Sequence, residues 1–182
     1  LRTIREDLQA HRGEWSRPGF QTLAVHRFGN WVKTIKHKPL RAVPSLLAKT
    51  AHVFCRNVYG IELPFEASVG RRVIIEHQGS IIVHGNCVIG SDCVLRQNVT
   101  LGIKDVSDPT AAPRLGNGVD IGAGAKILGN VRLGGYSKIG ANSVVISDVA
   151  PSTTVAGVPA KPVGRNIYSS HSSWEQPKTE VW

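Results

Sequence analysis

The chain has 182 residues, with 19 Gly, 10 Pro, 6% aromatic and only 19% charged residues. It is too apolar for disorder and too rich in helix breakers for a helical bundle, and its length suits one domain with a real core. Lys and Arg number 22 against 13 Asp and Glu, and residues 1–60 carry most of the +9 excess, with eleven basic side chains against three acidic ones.

That imbalance fits a solvated basic face, or attraction to an anionic partner such as a phosphate-rich cofactor, a membrane surface or an acidic glycan. No nucleic-acid-binding motif accompanies it, so nucleic acid is not expected as a partner. The apolar runs are short and broken and no signal peptide opens the chain, so a cytoplasmic protein is expected. Three cysteines without CxxC spacing signal neither a disulfide framework nor a zinc site.

Residues 1–60 read as a basic α-helical region. Residues 2–12 predict a short helix. After Pro18-Gly19, the apolar residues Phe20, Leu23, Ala24, Phe28, Trp31, Val32 and Ile35 share one helical stripe, and Pro39 is the expected end. Pro44 suits the first turn of a further helix. Leu46, Leu47, Ala51, Phe54 and Val58 form its stripe, expected to pack, and Gly60 is its expected stop.

From residue 61 the pattern changes to a repeat. An aliphatic residue recurs at every sixth position from Val83 to Leu101 and again from Leu115 to Val145, often followed by Gly. A small or β-branched residue (Cys87, Cys93, Val99, Val119, Ala125, Val131, Ser137, Ser143, Val149) recurs with the same period. Period six matches neither a 3.6-residue helix nor strand alternation. It predicts a parallel β-helix, in which short strands stack and the aliphatics fill a narrow core. The two cysteines of this region fall at its small inward position, so they are expected to pack.

The period breaks twice. Two extra residues enter around EHQGSI, between Ile75 and Val83, and a loop over 103–114 separates Leu101 from Leu115. Function in a rigid solenoid concentrates at such breaks. His77 sits in the first.

The segments VIIEHQGSIIVHGN, RQNVTLG, VDIGAGAKILGNV and AGVPAKPVG resemble the serine O-acetyltransferase family, and the helical stretch PGFQTLAVHRFGNWV extends the likeness over roughly residues 18–165. That family is a branch of the left-handed β-helix acyltransferases that use acetyl-CoA. The resemblance implies a mainly β fold, a left-handed β-helix over 61–165 behind the short helical region, with 166–182 as a tail. It also implies a homotrimer with active sites between neighbours, and no metal. His77 takes the place of the general base and Glu62 that of the carboxylate orienting it. Thr100, Gly102, Ala123, Ala125 and Ala141 match the stretch that lines the pantetheine arm, and Lys138 and Lys161 lie where cations approach the CoA phosphates. Asp7 and Glu76 fall on the acceptor side, whereas His84 has no catalytic counterpart. An imidazole suits the chemistry, because acyl transfer from a thioester to a hydroxyl needs proton removal near neutral pH.

Three departures bear on the acceptor. The family's Arg-His pair, whose Arg is expected to hold the substrate carboxylate, is replaced by Ala111-Ala112. The helical region is shorter, and the chain ends in Val181-Trp182 instead of the Ile that docks into cysteine synthase. These departures favour a sugar or glycan acceptor of a polysaccharide pathway over L-serine, with no cysteine synthase complex. A non-catalytic β-helix scaffold is the alternative of a different class. A γ-class carbonic anhydrase would need three zinc-binding His, and the repeat holds only His77 and His84.

Overall fold

The computed structural model describes residues 2–165. Three helices come first: α1 (Arg2–Ala10), α2 (Pro18–Lys33) and α3 (Lys38–Phe54), the last running into a π-helical turn at Cys55–Tyr59. Gly60 stops that turn at φ 65°, a left-handed conformation that a Cβ would penalise. α2 ends at Lys33, short of Pro39, which instead occupies the first turn of α3. Pro44 lies inside α3, where it cannot donate to the Leu40 carbonyl.

α3 departs from expectation in a second way. Its small residues face the protein, with Ala48 and Cys55 buried, while Leu46, Leu47, Phe54 and Val58 are 49–66% exposed. The stripe expected to pack is turned outward.

From Ile61 the chain winds as a left-handed β-helix with three flat faces. Sheet A stacks Ile61–Glu62, Ile81–Val83, Thr100–Gly102, Lys126–Leu128 and Val144–Val145. Sheet B stacks Ser68–Val69, Val88–Ile89, Arg114–Leu115 and Arg132–Leu133. Sheet C stacks Ile74–Ile75, Val94–Leu95, Asp120–Ile121, Lys138–Ile139 and Thr153–Gly157, and Ala160–Arg165 closes it as an antiparallel strand. All other pairings are parallel.

The register shows what each break in the period does. A turn without insertion takes 18 residues, as from Arg114 to Arg132. The turn holding EHQGS takes 20, from Ile61 to Ile81, and the turn holding the 103–113 loop takes 26, from Thr100 to Lys126. Both insertions therefore leave the coil at a corner without shifting the strands that follow. Ile81, Leu95, Leu101, Ile121, Ile127 and Leu133 point inward at no more than 2% exposure.

The helices cap the first turn closely. A Cβ on Gly19 of α2 would stand 2.1 Å from the Ile75 carbonyl oxygen, so only glycine permits that approach. Asp7, expected on the acceptor side, is instead fully buried in this cap. Its Oδ2 accepts from Arg27 Nε at 2.9 Å and its Oδ1 from the Arg72 amide at 2.9 Å. Arg27 Nη1 donates in turn to the Val69 carbonyl at 2.6 Å. His11 Nδ1 donates to the Asp7 carbonyl at 2.8 Å and its Nε2 accepts from the Ile75 amide at 3.2 Å. Asp7 thus ties α1 and α2 to the coil. It cannot meet an acceptor there.

His26 in α2 is 2% exposed, and its Nε2–H donates to the Ala67 carbonyl at 3.1 Å. Burial, reinforced by the Arg27 charge, pushes its pKa down to about 4. The folded value lies below the ordinary imidazole value, so the unfolded chain takes up the proton first as pH falls. The stabilisation is present above about pH 6.5 and is lost toward pH 4, a change on the order of 3 kcal/mol. Urea midpoints measured across that window should fall for the native chain and flatten for His26→Gln. A curve that does not flatten would assign the loss elsewhere.

Candidate active site

Each hexad turns a corner two residues after its inward aliphatic. At the edge where sheet C passes into sheet A, that position is held by His77, Gln97, Ala123 and Ala141 on successive turns. A backbone ladder runs down the edge: Asn98 N–H to Gly79 O at 2.9 Å, Gly124 N–H to Gln97 O at 2.9 Å, and Asn142 N–H to Ala123 O at 2.8 Å. With strands about 4.8 Å apart, His77 stands roughly 14 Å above Ala141. Below Gln97 the edge carries only small residues until Asn142. Gly124 there has φ +74°, and a Cβ on it would meet the Asn142 side-chain oxygen at 2.0 Å.

The two inserted residues make the corner at His77 bulge outward. Gly79 (φ 107°) and Ser80 (φ 49°) take left-handed conformations, and Gly79 N–H bonds the Tyr59 carbonyl at 3.0 Å. His77 is exposed and, among the described residues, forms no hydrogen bond or ion pair. Beside it, Glu76 pairs with Arg96 Nε at 2.9 Å. Arg96 Nη1 also bonds the Asp120 carboxylate and the Ile121 carbonyl, the latter at 3.2 Å. An imidazole, a carboxylate and a guanidinium thus stand at the head of a narrow track.

The structure sorts the remaining candidates. Glu62 lies on sheet A in register with Ile82, and no hydrogen bond joins it to His77 among the described residues. Thr100 is on the same sheet, whereas Gly102 ends its strand at the opposite edge, where the loop departs. Ala123 and Ala141 line the track, but Ala125 is fully buried. It holds the inward hexad position, so its side chain belongs to the core and cannot line a pantetheine arm. Lys138 sits on sheet C between Asp120 and Thr154, and Lys161 is opposite Ala156 on the closing strand. Ala111 and Ala112 lie at the corner between sheets A and B, a different edge from His77, and Ala112 is buried.

Burial raises the thiols of Cys87 and Cys93 to about 11, which keeps them protonated and unsuited to nucleophilic work. Gln97 was not singled out from sequence. Its Oε1 is buried without a partner among the described residues, one turn below His77. Aligning the hexads on the residue two places after each aliphatic would have exposed it.

No family model matches the chain. The serine acetyltransferase of Synechococcus elongatus is 37% identical over 153 residues, covering 84% of this chain and 58% of the relative. That of Escherichia coli K12 is 39% identical over 147 residues, covering 81% and 51%. The chain thus spans about half the length of the curated relatives it matches. Among solved structures, the Neisseria gonorrhoeae serine acetyltransferase superposes with a TM-score of 0.79 at 32% identity, covering 92% of this chain and 67% of that one. The Brucella abortus serine acetyltransferase in complex with coenzyme A gives 0.77 at 30% identity, with 91% and 68% covered.

These relatives overturn the expected sugar or glycan acceptor. Identity of 37% and 39% to serine acetyltransferases persists despite the missing Arg-His pair. The missing guanidinium does not leave the His77 region without a cation, since Arg96 stands beside Glu76 there. The expectation about cysteine synthase rests on Val181-Trp182, which lie outside the described residues. By sequence and by fold, the chain belongs to the serine acetyltransferase family.

Proposed function

We propose that the chain transfers the acetyl group of acetyl-CoA to the hydroxyl of L-serine. The observation that carries this is the exposed His77 at the head of a track of small residues, with the Glu76–Arg96 pair beside it. His77 takes the hydroxyl proton as the serine oxygen bonds the thioester carbonyl carbon. It returns that proton to the sulfur as the carbon–sulfur bond breaks. No acyl-enzyme is needed, in keeping with the buried thiols.

Glu76 receives the serine ammonium and Arg96 its carboxylate, the task for which Ala111 has no side chain. Ala123 and Ala141 leave room for the pantetheine arm. Lys161, with Lys138 on the same sheet, meets the phosphates. Glu62 keeps the field around the base negative. Three copies assemble side by side, bringing the 103–113 loop of one toward the His77 edge of the next.

The test is thiol release from acetyl-CoA with and without L-serine. Release should depend on serine, and Arg96→Gln should raise the KM for serine by roughly 10- to 100-fold, the worth of a charged hydrogen bond, with the KM for acetyl-CoA little changed. No serine-dependent release, or an unchanged serine KM in the variant, sinks the assignment.

A further inference from the structure

Helix α3 shows its apolar side to solvent. Leu40 is 69%, Val43 67%, Leu46 66% and Leu47 59% exposed, while Ala48 is buried against the protein. At about 100° per residue, these four with Val53 and Phe54 fill an arc of roughly 140° on the outer side. Lys38 and Lys49 border the arc and Arg41 lies further round, all exposed. None of the three forms an ion pair among the described residues. A groove of about 660 Å³ between α2 and α3 shares Leu47 and Phe54 with this face and adds Trp15 and Phe20.

The charge around this face is of one sign. From residue 15 to residue 61 the sequence has no Asp or Glu, against eight Lys and Arg. Three of those cations are used internally, Arg17 by Glu14, Arg27 by Asp7 and Lys33 by Glu66. The rest have no anion supplied by their own region.

From the outward apolar arc and its bordering cations, we propose that α3 docks on an anionic lipid bilayer, lying in the interface with Leu40, Val43, Leu46 and Leu47 toward the acyl chains. An apolar arc bordered by Lys and Arg is the pattern of a helix that lies in the headgroup region. Long cationic side chains can bury their stems and keep their charges at the phosphates. No helix among the described residues is long and apolar enough to cross a membrane, so α3 rests on the surface. A two-fold contact between copies of α3 would instead press cation against cation with no carboxylate between them.

The experiment is cosedimentation of the full chain with vesicles of phosphatidylcholine alone and with added phosphatidylglycerol. Partition into the anionic vesicles should exceed that into the neutral ones by at least about tenfold and should fall as salt rises. Leu46→Gln with Leu47→Gln should lower it by about tenfold or more, leaving the sedimentation coefficient and the circular dichroism unchanged. Should that variant misfold, Lys38→Gln with Lys49→Gln decides, at roughly fivefold per cation removed. Equal, weak partition into both vesicles overturns the proposal. So does a leucine variant that stays folded but changes its assembly state, since the face would then be a contact between copies of the chain.

Discussion

His77→Ala is expected to lower kcat by roughly 10²- to 10⁴-fold, the usual contribution of a positioned general base. Acetyl-CoA affinity and thermal stability should stay close to native. The separation follows from the geometry. His77 projects from a two-residue bulge, is exposed, and bonds to nothing else among the described residues, so its removal deletes no packing and no ion pair. Titration calorimetry with CoA and a melting curve check the two unchanged quantities, and thiol release with serine checks kcat. Added imidazole should restore part of the lost rate, which a merely structural role would not allow. Glu62→Gln should cost much less, because it weakens a field without removing a proton acceptor. If His77→Ala retains full activity, the proton goes elsewhere, whatever the acceptor.

Much of this site is legible in the sequence because the β-helix converts spacing directly into position. The six-residue period names the inward side chains, and the two phase breaks give the 20- and 26-residue turns without any knowledge of tertiary structure. His77 stands out because it falls in one of those breaks. What spacing alone hides is which neighbour faces which. Arg96 reaches Glu76 and Asp120 across rungs separated by 20 and 24 residues, pairings that become visible only after each turn length is known. Ala125 shows the converse, since its hexad position marks it as inward although its segment resembles a ligand-lining stretch. The helical region is less legible for a general reason. A 3.6-residue stripe defines a face but not what covers it, and on α3 the stripe looks outward. A missing Arg-His pair shows which cation is absent, not which other cation, here Arg96, stands near His77.

Asp7→Ala is expected to destabilise the chain by about 3–5 kcal/mol, the cost of leaving a buried charge without its partner. At this chain length that is a fall in Tm on the order of 10 °C or more. Arg27 is the charge left behind: its side chain is 13% exposed, against 0% for Asp7, and its other donors go to backbone carbonyls of the first turn. One further bond is lost, because the Arg72 amide loses its acceptor, whereas the His11 bond runs to the main-chain carbonyl of residue 7 and is kept. Asp7→Asn should cost less, since one amide oxygen can still accept from Arg27 or from the Arg72 amide. Combining Asp7→Ala with Arg27→Met should recover part of the loss, because no buried charge then remains, but not all of it, because the Val69 and Gly70 carbonyls lose their donor. Urea midpoints for the two single variants and the double variant give the coupling directly. A purely additive result would mean that the ion pair contributes nothing beyond its separate contacts. A different outcome would restore Asp7 to the acceptor site: stability unchanged in Asp7→Ala, with the KM for serine raised. The geometry forecasts the reverse, a large loss of stability and, in whatever fraction remains folded, a serine KM close to native.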